Sequence, residues 1–250
     1  MSDAESIFNL LLKESPAFHG STGESQWSLG LDTLKWLFYN VRSGDVTLET
    51  GCGYSTIVFA IKGCKHTVIS PVESEHERIR QWGCAHGVDF SSVRFIAAKS
   101  EDVLPSLGDE SLNLVLIDGW HAFPAPFIDW FYTCQKLSLD GLMIVDDTQI
   151  RSCRILSDFL SMEHRRWRLE KRLHRTDVFR KIHAQAFEGD WRSQPYGEKP
   201  LLSLKDRWQT GLRPKMVSVA RHVPGLIPML KKMRSLVVPK PASRPNGRTP

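Results

Sequence analysis

The chain has 250 residues, of which 41% are hydrophobic and 24% are charged, as expected for one globular domain with an appended segment. No run approaches the roughly 18 apolar residues of a membrane-spanning helix, and the acidic residues within positions 1–14 are unlike the basic start of a signal peptide. Five widely spaced cysteines without a C-x-x-C pair argue against a disulfide framework or a thiolate zinc site, so we expect a reduced, cytoplasmic protein.

Charge is distributed unevenly along the chain. Residues 1–150 carry ten more acidic than basic side chains, whereas residues 151–250 carry fifteen more basic than acidic ones. No acidic residue follows Asp206. We therefore expect the two parts of the chain to have different roles.

Short apolar strands alternate with helical patterns through the first part of the chain. A helix over 29–39 comes first, within N-terminal cap helices assigned to residues 1–40. The strands after it are continuously apolar, which is typical of a parallel sheet buried on both faces by crossover helices. The predicted strands are 46–49, 67–70, 93–97, 112–118 and 142–146, the last entered through a turn at Asp140-Gly141, and the predicted helices are 55–62, 74–86, 101–107, 124–137 and 151–162.

Two further strands, 167–172 and 177–182, alternate polar and apolar residues and indicate an antiparallel hairpin at the sheet edge. The predicted fold class is therefore α/β: a Rossmann-like, doubly wound sheet of seven strands with a C-terminal antiparallel hairpin and N-terminal cap helices. Residues 184–238 form a basic C-terminal extension, irregular over 184–211 and helical within 212–238. Residues 239–250 should be disordered, because they lack the means to bury apolar surface.

The most informative motif joins the first strand to the next helix and reads Glu49-Thr-Gly51-Cys-Gly53-Tyr-Ser55. Glycine allows a sharp turn and close approach of a ligand, and a helix start offers unpaired N–H groups, so nucleotide-type cofactors bind at such loops. The dinucleotide fingerprint requires a third glycine where Thr56 stands, which makes the match to NAD binding incomplete. An ordinary strand-to-helix turn is the alternative.

This motif resembles motif I of class I S-adenosylmethionine (SAM)-dependent methyltransferases, and two later runs extend the resemblance. Residues 114–121 (LVLIDGWH) look like the family's fourth strand, and residues 140–148 (DGLMIVDDT) resemble the fifth strand of small-molecule O-methyltransferases. The run 117–130 (IDGWHAFPAPFIDW) is similar to bacterial members of unassigned substrate. The resemblance implies a methyltransferase domain over 41–183, SAM as cofactor, and transfer to an oxygen, or less favoured a nitrogen, of a small-molecule acceptor.

Two positions depart from the family's pattern. The acidic ribose ligand expected at the end of the second strand is replaced by Ser70-Pro71, which leaves Glu73 as the nearest candidate and Glu75 as the next. Both glutamates could instead favour the start of the following helix. The adenine triplet G-D-A reads Ala98-Lys99-Ser100, so Ser100 would supply its N–H and hydroxyl without the aspartate. The cofactor-binding residues implied are Glu49, Gly51, Gly53, Ser55, Glu73, Ser100 and Asp118.

Asp118, Asp146 and Asp147 follow neighbouring central strands, at the sheet edge where open α/β folds bind ligands. The resemblance to catechol-type enzymes implies that these carboxylates hold a Mg²⁺ ion that chelates the acceptor, and a hard oxygen-rich site suits that ion. Helix and loop capping by Asp147 and Asp118 is the alternative. His121, with Asp118, forms the predicted catalytic pair, because a histidine titrating near neutrality can act as a general base. A structural or solvated His121 is the alternative.

The basic extension allows several partners. Its cationic and apolar residues interleave over 212–238, which suits an anionic membrane surface, a nucleic acid, or the acidic part of a second subunit in a homodimer. A solvated helical face is the simplest alternative. Two other functions also stay open: a nicotinamide-dependent oxidoreductase using the same loop, and a non-catalytic module that binds SAM or nucleic acid.

Overall fold

The computed structural model describes residues 3–20, 29–187, 189–190 and 192–198. The strands are β1 (Val46–Thr50), β2 (Lys65–Ile69), β3 (Val93–Ile96), β4 (Leu112–Ile117), β5 (Leu137–Val145), β6 (Trp167–Arg172) and β7 (Asp177–Lys181). The α-helices are α1 (Asp3–Glu14), α2 (Leu31–Asn40), α3 (Tyr54–Ile61), α4 (Glu73–Ala85), α5 (Ser100–Val103), α6 (Ala125–Cys134), α7 (Arg151–Met162) and α8 (Pro195–Glu198).

All seven strands belong to one sheet, in the order β3-β2-β1-β4-β5-β7-β6. The first five pair in parallel, whereas β7 is antiparallel to both β5 and β6. Thr50 lies opposite Ile69 on one side and Ile117 on the other, so the strands end at one edge. The predicted Rossmann-like fold with its C-terminal hairpin is confirmed.

Helices cover both faces of this sheet, which explains the continuously apolar strands. Within β4, Leu114 and Leu116 belong to the core beneath α1, α2 and α3, whereas Val115 and Ile117 belong to the core beneath α6 and α7. Every residue of α3 from Tyr54 to Ala60 is buried, because α1 and α2 pack around it. This packing confirms the N-terminal cap helices.

The predicted boundaries of the fifth strand and of the helix before it are wrong. The strand begins at Leu137 rather than 142, and α6 ends at Cys134 rather than 137. Asp140 has a φ of +63°, and the register with β4 shifts between Leu112 and Leu114. The Asp140-Gly141 turn therefore lies inside the strand as a bulge, since Leu137 still pairs with Leu112 across the sheet.

The last described element, α8, falls within the stretch predicted as irregular. The helices predicted within 212–238 and the tail 239–250 lie outside the described residues. Among the described helices, none combines the length and the apolar character needed to cross a bilayer.

Candidate active site

A cavity of about 890 Å³ opens at the carboxyl ends of the parallel strands, where the strand order reverses at β1. Its lining comes from the glycine loop after β1, the β2–α4 connection, the start of α5, and the loops after β4 and β5. Ligands of open α/β sheets bind at this switch point, and the volume suits a small molecule with its cofactor.

Gly51 is the residue at which the chain leaves β1, and its backbone requires glycine. Its φ is +95°, and a Cβ there would lie 2.3 Å from the carbonyl oxygen of Asp118. The N–H of Gly51 donates to the carbonyl of Ile69 at 2.8 Å, and the N–H of Asp118 donates to that of Thr50 at 3.0 Å. The three strand ends are thereby held together around the cavity.

Glu49 supports this loop through hydrogen bonds and does not line the cavity. It is buried, with its Oε1 accepting a hydrogen bond from the Thr56 hydroxyl and lying 3.1 Å from Nε2 of His66. The Thr56 hydroxyl in turn accepts the N–H of Gly53 at 3.0 Å. Gly53 and Ser55 also fall outside the residues that line the cavity.

The glutamate at the cavity is Glu75, the second sequence candidate, and the structure does not bring Glu73 there. The Glu73 side chain is 63% exposed, with Oε1 3.2 Å from Nη1 of Arg80. The Glu75 side chain is only 11% exposed; Oε2 lies 3.2 Å from Nδ1 of His19, and Oε1 accepts the N–H of Gly20. Burial acts to raise the pKa of Glu75, but these hydrogen bonds outweigh it and lower the pKa, so the carboxylate is ionised at neutral pH.

Ser100, the first residue of α5, lines the cavity as predicted from its place after β3. Asp129 of α6 lies near Ser100, and the sequence motifs do not predict it as a site residue. It is buried, and burial raises its pKa, an effect that the hydroxyls of Ser100 and Thr50 partly offset. An aspartate within an otherwise apolar helix was the available signal.

His121 stands between two carboxylates at the ends of β4 and β5. Its Nε2 is 3.7 Å from Oδ1 of Asp118 and 3.4 Å from Oδ2 of Asp147. The Ser152 hydroxyl on α7 donates to the main-chain oxygen of His121 and fixes the loop. Interaction with Asp118 raises the pKa of His121, while burial and the charges of Asp146 and Asp147 raise the pKa of Asp118 to about 7.

Asp146 lines the cavity but is turned towards β7 and α2. It is buried, and one carboxylate oxygen accepts a hydrogen bond from the Thr176 hydroxyl, which lies 2.8 Å from that of Thr33. Burial raises the pKa of Asp146. No side-chain cap by Asp147 is seen, because α7 begins at Arg151 and its N-cap residue is Ile150.

At the ends of β4 and β5, the group that could jointly hold a cation is therefore Asp118, His121 and Asp147, not the three aspartates that the sequence predicts. This donor set fits Mg²⁺ poorly. Mg²⁺ prefers an octahedral shell of oxygens, whereas here one donor is an imidazole and Nε of Arg175 lies 3.6 Å from Oδ1 of Asp147. Arg175 supplies, beside Asp147, positive charge that a metal would otherwise provide.

Comparison with known proteins identifies the catalytic domain. Residues 48–148, which run from the glycine loop to Asp147 and Thr148, match a family model described as a methyltransferase domain. Residues 48–148 form a methyltransferase domain, on the fold of class I SAM-dependent enzymes. The predicted enzyme class is thereby confirmed. None of the curated proteins matches the sequence.

Solved structures share the fold of this methyltransferase at low sequence identity. A caffeoyl-CoA O-methyltransferase-like protein from Staphylococcus aureus superposes with a TM-score of 0.53 at 17% identity, covering 72% of this chain and 93% of its own. A cofactor-bound protein from MTB gives a TM-score of 0.52 at 14% identity, with coverages of 73% and 90%. An rRNA-methylase-like protein from Clostridium thermocellum gives 0.52 at 12% identity, with coverages of 62% and 96%.

Proposed function

We propose that this methyltransferase transfers the methyl group of SAM to an oxygen of a small-molecule acceptor, with His121 as the general base. The observation that carries the proposal is the position of His121. Its imidazole lines the cavity next to the glycine loop, with Asp118 and Asp147 within 3.7 Å and 3.4 Å of Nε2. Interaction with Asp118 raises the pKa of His121 above its ordinary value of 6.5, which makes the imidazole a stronger base for the removal of a hydroxyl proton.

The cavity residues suit SAM, which when bound supplies an electrophilic methyl group on a sulfonium sulfur. Gly51 lets the main chain of Asp118 pack against the glycine loop, where a side chain would clash, so the loops after β1 and β4 meet at the cavity. The ionised carboxylate of Glu75 would accept hydrogen bonds from the ribose hydroxyls. Ser100 would offer its N–H and hydroxyl to the adenine, with the Asp129 carboxyl close to that hydroxyl. Glu49 supports the loop through Thr56 and does not line the cavity.

In the transfer step, His121 would take the acceptor's proton on its imidazole while the acceptor oxygen forms the new bond to the methyl carbon. The bond from that carbon to the sulfonium sulfur would break, and the cofactor would leave as a neutral thioether. The carboxylates of Asp118 and Asp147 stabilise the imidazolium, since both lie close in a partly desolvated site. Arg175 holds Asp147 in place. We favour oxygen over nitrogen because a hydroxyl needs deprotonation to become nucleophilic, whereas a neutral amine attacks without a base.

The decisive experiment first screens phenols, sugars and hydroxy acids as acceptors with labelled SAM. The best acceptor is then used to assay a variant of His121. We expect His121→Ala to lower kcat/KM by roughly 10²–10⁴-fold, the usual contribution of a general base, while the affinity for S-adenosylhomocysteine (SAH) is kept. His164→Ala, at an exposed histidine outside the cavity, is the matched control and should keep full activity. Full activity in His121→Ala would disprove the assignment of the base.

The same assay tests whether a metal ion takes part. Because Arg175 lies beside Asp147 and His121 occupies the position between the two carboxylates, we expect EDTA to leave turnover unchanged. Loss of turnover in EDTA that Mg²⁺ restores would instead assign Asp118 and Asp147 as metal ligands.

A further inference from the structure

A second group of metal-ligating side chains lines the cavity, separate from Asp118, His121 and Asp147. It consists of His19, Cys52 and Glu75, whose ligand atoms all lie within 4.8 Å of one another. The three come from the segment after α1, the glycine loop and α4. Because the three residues are far apart in sequence, no motif with a fixed spacing predicts the group.

Two distances within this group match the edges of a zinc tetrahedron. Zinc binds sulfur at about 2.3 Å and nitrogen or oxygen at about 2.0–2.1 Å, so tetrahedral angles place sulfur and oxygen ligands about 3.5–3.6 Å apart, and nitrogen and oxygen ligands about 3.3–3.4 Å apart. Here Sγ of Cys52 lies 3.6 Å from Oε2 of Glu75, and Nδ1 of His19 lies 3.2 Å from the same oxygen. The third pair, the His19 imidazole and the Cys52 thiol, has its ligand atoms within 4.8 Å of each other.

Neighbouring groups hold these ligands in place. The other Glu75 oxygen, Oε1, accepts the N–H of Gly20 at 3.3 Å. Arg78 donates to the carbonyls of Phe18 and Gly20, both at 2.7 Å, and so fixes the backbone on either side of His19. Such outer contacts orient ligands and raise metal affinity.

We propose that His19, Cys52 and Glu75 form a binding site for Zn²⁺, and that an ion bound there excludes SAM. The carboxylate and the thiolate together neutralise the ion, and the fourth position faces the cavity and would hold water, as in three-ligand zinc sites. Binding forms the zinc–sulfur bond, breaks the S–H bond and releases that proton to solvent, without any redox change.

The competition with SAM rests on the proposed function, whereas the metal site itself does not. Glu75 is the carboxylate that we assign to the ribose hydroxyls, and Cys52 belongs to the loop that we assign to the cofactor. An ion that takes up Glu75 removes the ribose acceptor. Zinc would thus inhibit the methyltransferase through its cofactor site.

Cobalt spectroscopy tests the site directly, because a cysteine thiolate bound to Co²⁺ gives a near-ultraviolet charge-transfer band that oxygen and nitrogen ligands do not give. We expect the full chain to show this band at one equivalent of Co²⁺ and to lose it on addition of Zn²⁺. Cys52→Ala should abolish the band, whereas Cys84→Ala, at an exposed cysteine of α4, should keep it. His19→Ala and Glu75→Gln should weaken binding roughly tenfold or more.

Absence of the band in the wild-type chain, or its persistence in Cys52→Ala, would overturn the site. Competition is then measured by titrating Co²⁺ at increasing SAH, where the apparent cobalt affinity should fall in proportion to SAH. A cobalt affinity independent of SAH would overturn the exclusion of SAM. Calorimetry of SAH binding in EDTA is independent of the metal, so its failure would count against the proposed function alone.

Discussion

Asp118 and His121 influence each other's protonation, and this coupling sets the expected pH dependence of catalysis. His121 must be neutral to accept a proton, and Asp118 raises its pKa above the ordinary value of 6.5. We therefore expect kcat/KM to rise with pH through an apparent pKa above 6.5. Asp118→Asn removes this interaction, so the rise should move to lower pH while the maximal rate falls. A pH–rate profile unchanged in position in Asp118→Asn would contradict the coupling.

The ionised form of Asp118 should also lower the free energy of unfolding. Its folded-state pKa of about 7 lies above its ordinary value of 3.8. A carboxyl whose pKa is raised on folding lowers the free energy of unfolding above the folded pKa, and this penalty disappears below the unfolded pKa. Asp118→Asn should therefore raise Tm at pH 8, by roughly 2–4 °C for each kcal/mol recovered, and leave it nearly unchanged below pH 4. Thermal unfolding at the two pH values checks this, and an equal effect at both would contradict it.

The choice between two neighbouring glutamates gives a matched test of the cofactor assignment. Glu75→Gln should weaken SAH binding roughly tenfold or more, because a neutral amide accepts hydrogen bonds from the ribose less strongly than a carboxylate. Glu73→Gln, two residues away and 63% exposed on the same helix, should leave the affinity unchanged. Calorimetry in EDTA measures both. A weaker affinity in the Glu73 variant alone would restore the first sequence candidate.

At the scale of elements, the sequence predicts well whatever depends on local pattern. Alternate residues of β4 reach opposite cores, so a continuous apolar run such as 114–117 marks a buried parallel strand. Gly51 is predictable because its φ of +95° is a local backbone requirement. Asp118 and Asp147 are likewise predictable at the cavity, since parallel strands end at one sheet edge.

Features that depend on residues far apart in sequence cannot be predicted from local pattern. Leu137 belongs to β5 because it pairs with Leu112, and this pairing outweighs the turn preference of Asp140-Gly141. Glu73 and Glu75 lie about 200° apart around α4, so the packing of that helix decides which of them reaches His19 at the cavity. The hydroxyl that bonds the carboxylate of Asp146 belongs to Thr176 of the C-terminal hairpin, 30 residues further along the chain.

The start of β5 should depend on a buried lysine. Nζ of Lys181 on β7 donates to the carbonyl oxygens of Cys134 at 2.9 Å and Leu137 at 2.6 Å, at the junction between α6 and β5. Lys181→Met keeps most of the apolar stem but leaves these carbonyls without their donor, so we expect unfolding free energy to fall by about 1–3 kcal/mol. Lys171→Met, at an exposed lysine of β6, is the control and should change stability little. Equal free energies of unfolding for the two variants in denaturant would contradict this role.

At the scale of the whole molecule, charge distinguishes the methyltransferase domain from the C-terminal extension. All residues that we assign to the cofactor and to catalysis lie before residue 148, in the part of the chain with excess acidic charge. No acidic residue follows Asp206, so the positive charges beyond it are not interspersed with negative ones. We propose that this extension binds an anionic surface, a role independent of the chemistry in the cavity.

Deleting residues 212–250 tests this separation of roles. We expect the truncated chain to keep its affinity for SAH, because the deletion removes none of the residues assigned to the cavity. The full chain should bind vesicles that contain anionic lipid, and the truncated chain should not. Binding should weaken as salt increases, since charges at a surface are screened beyond roughly 8–10 Å at physiological ionic strength. Vesicles of neutral lipid are the control. Vesicle binding that survives either the deletion or high salt would contradict the electrostatic role, and a salt-sensitive dimer lost on deletion would assign the extension to a second copy of the chain instead.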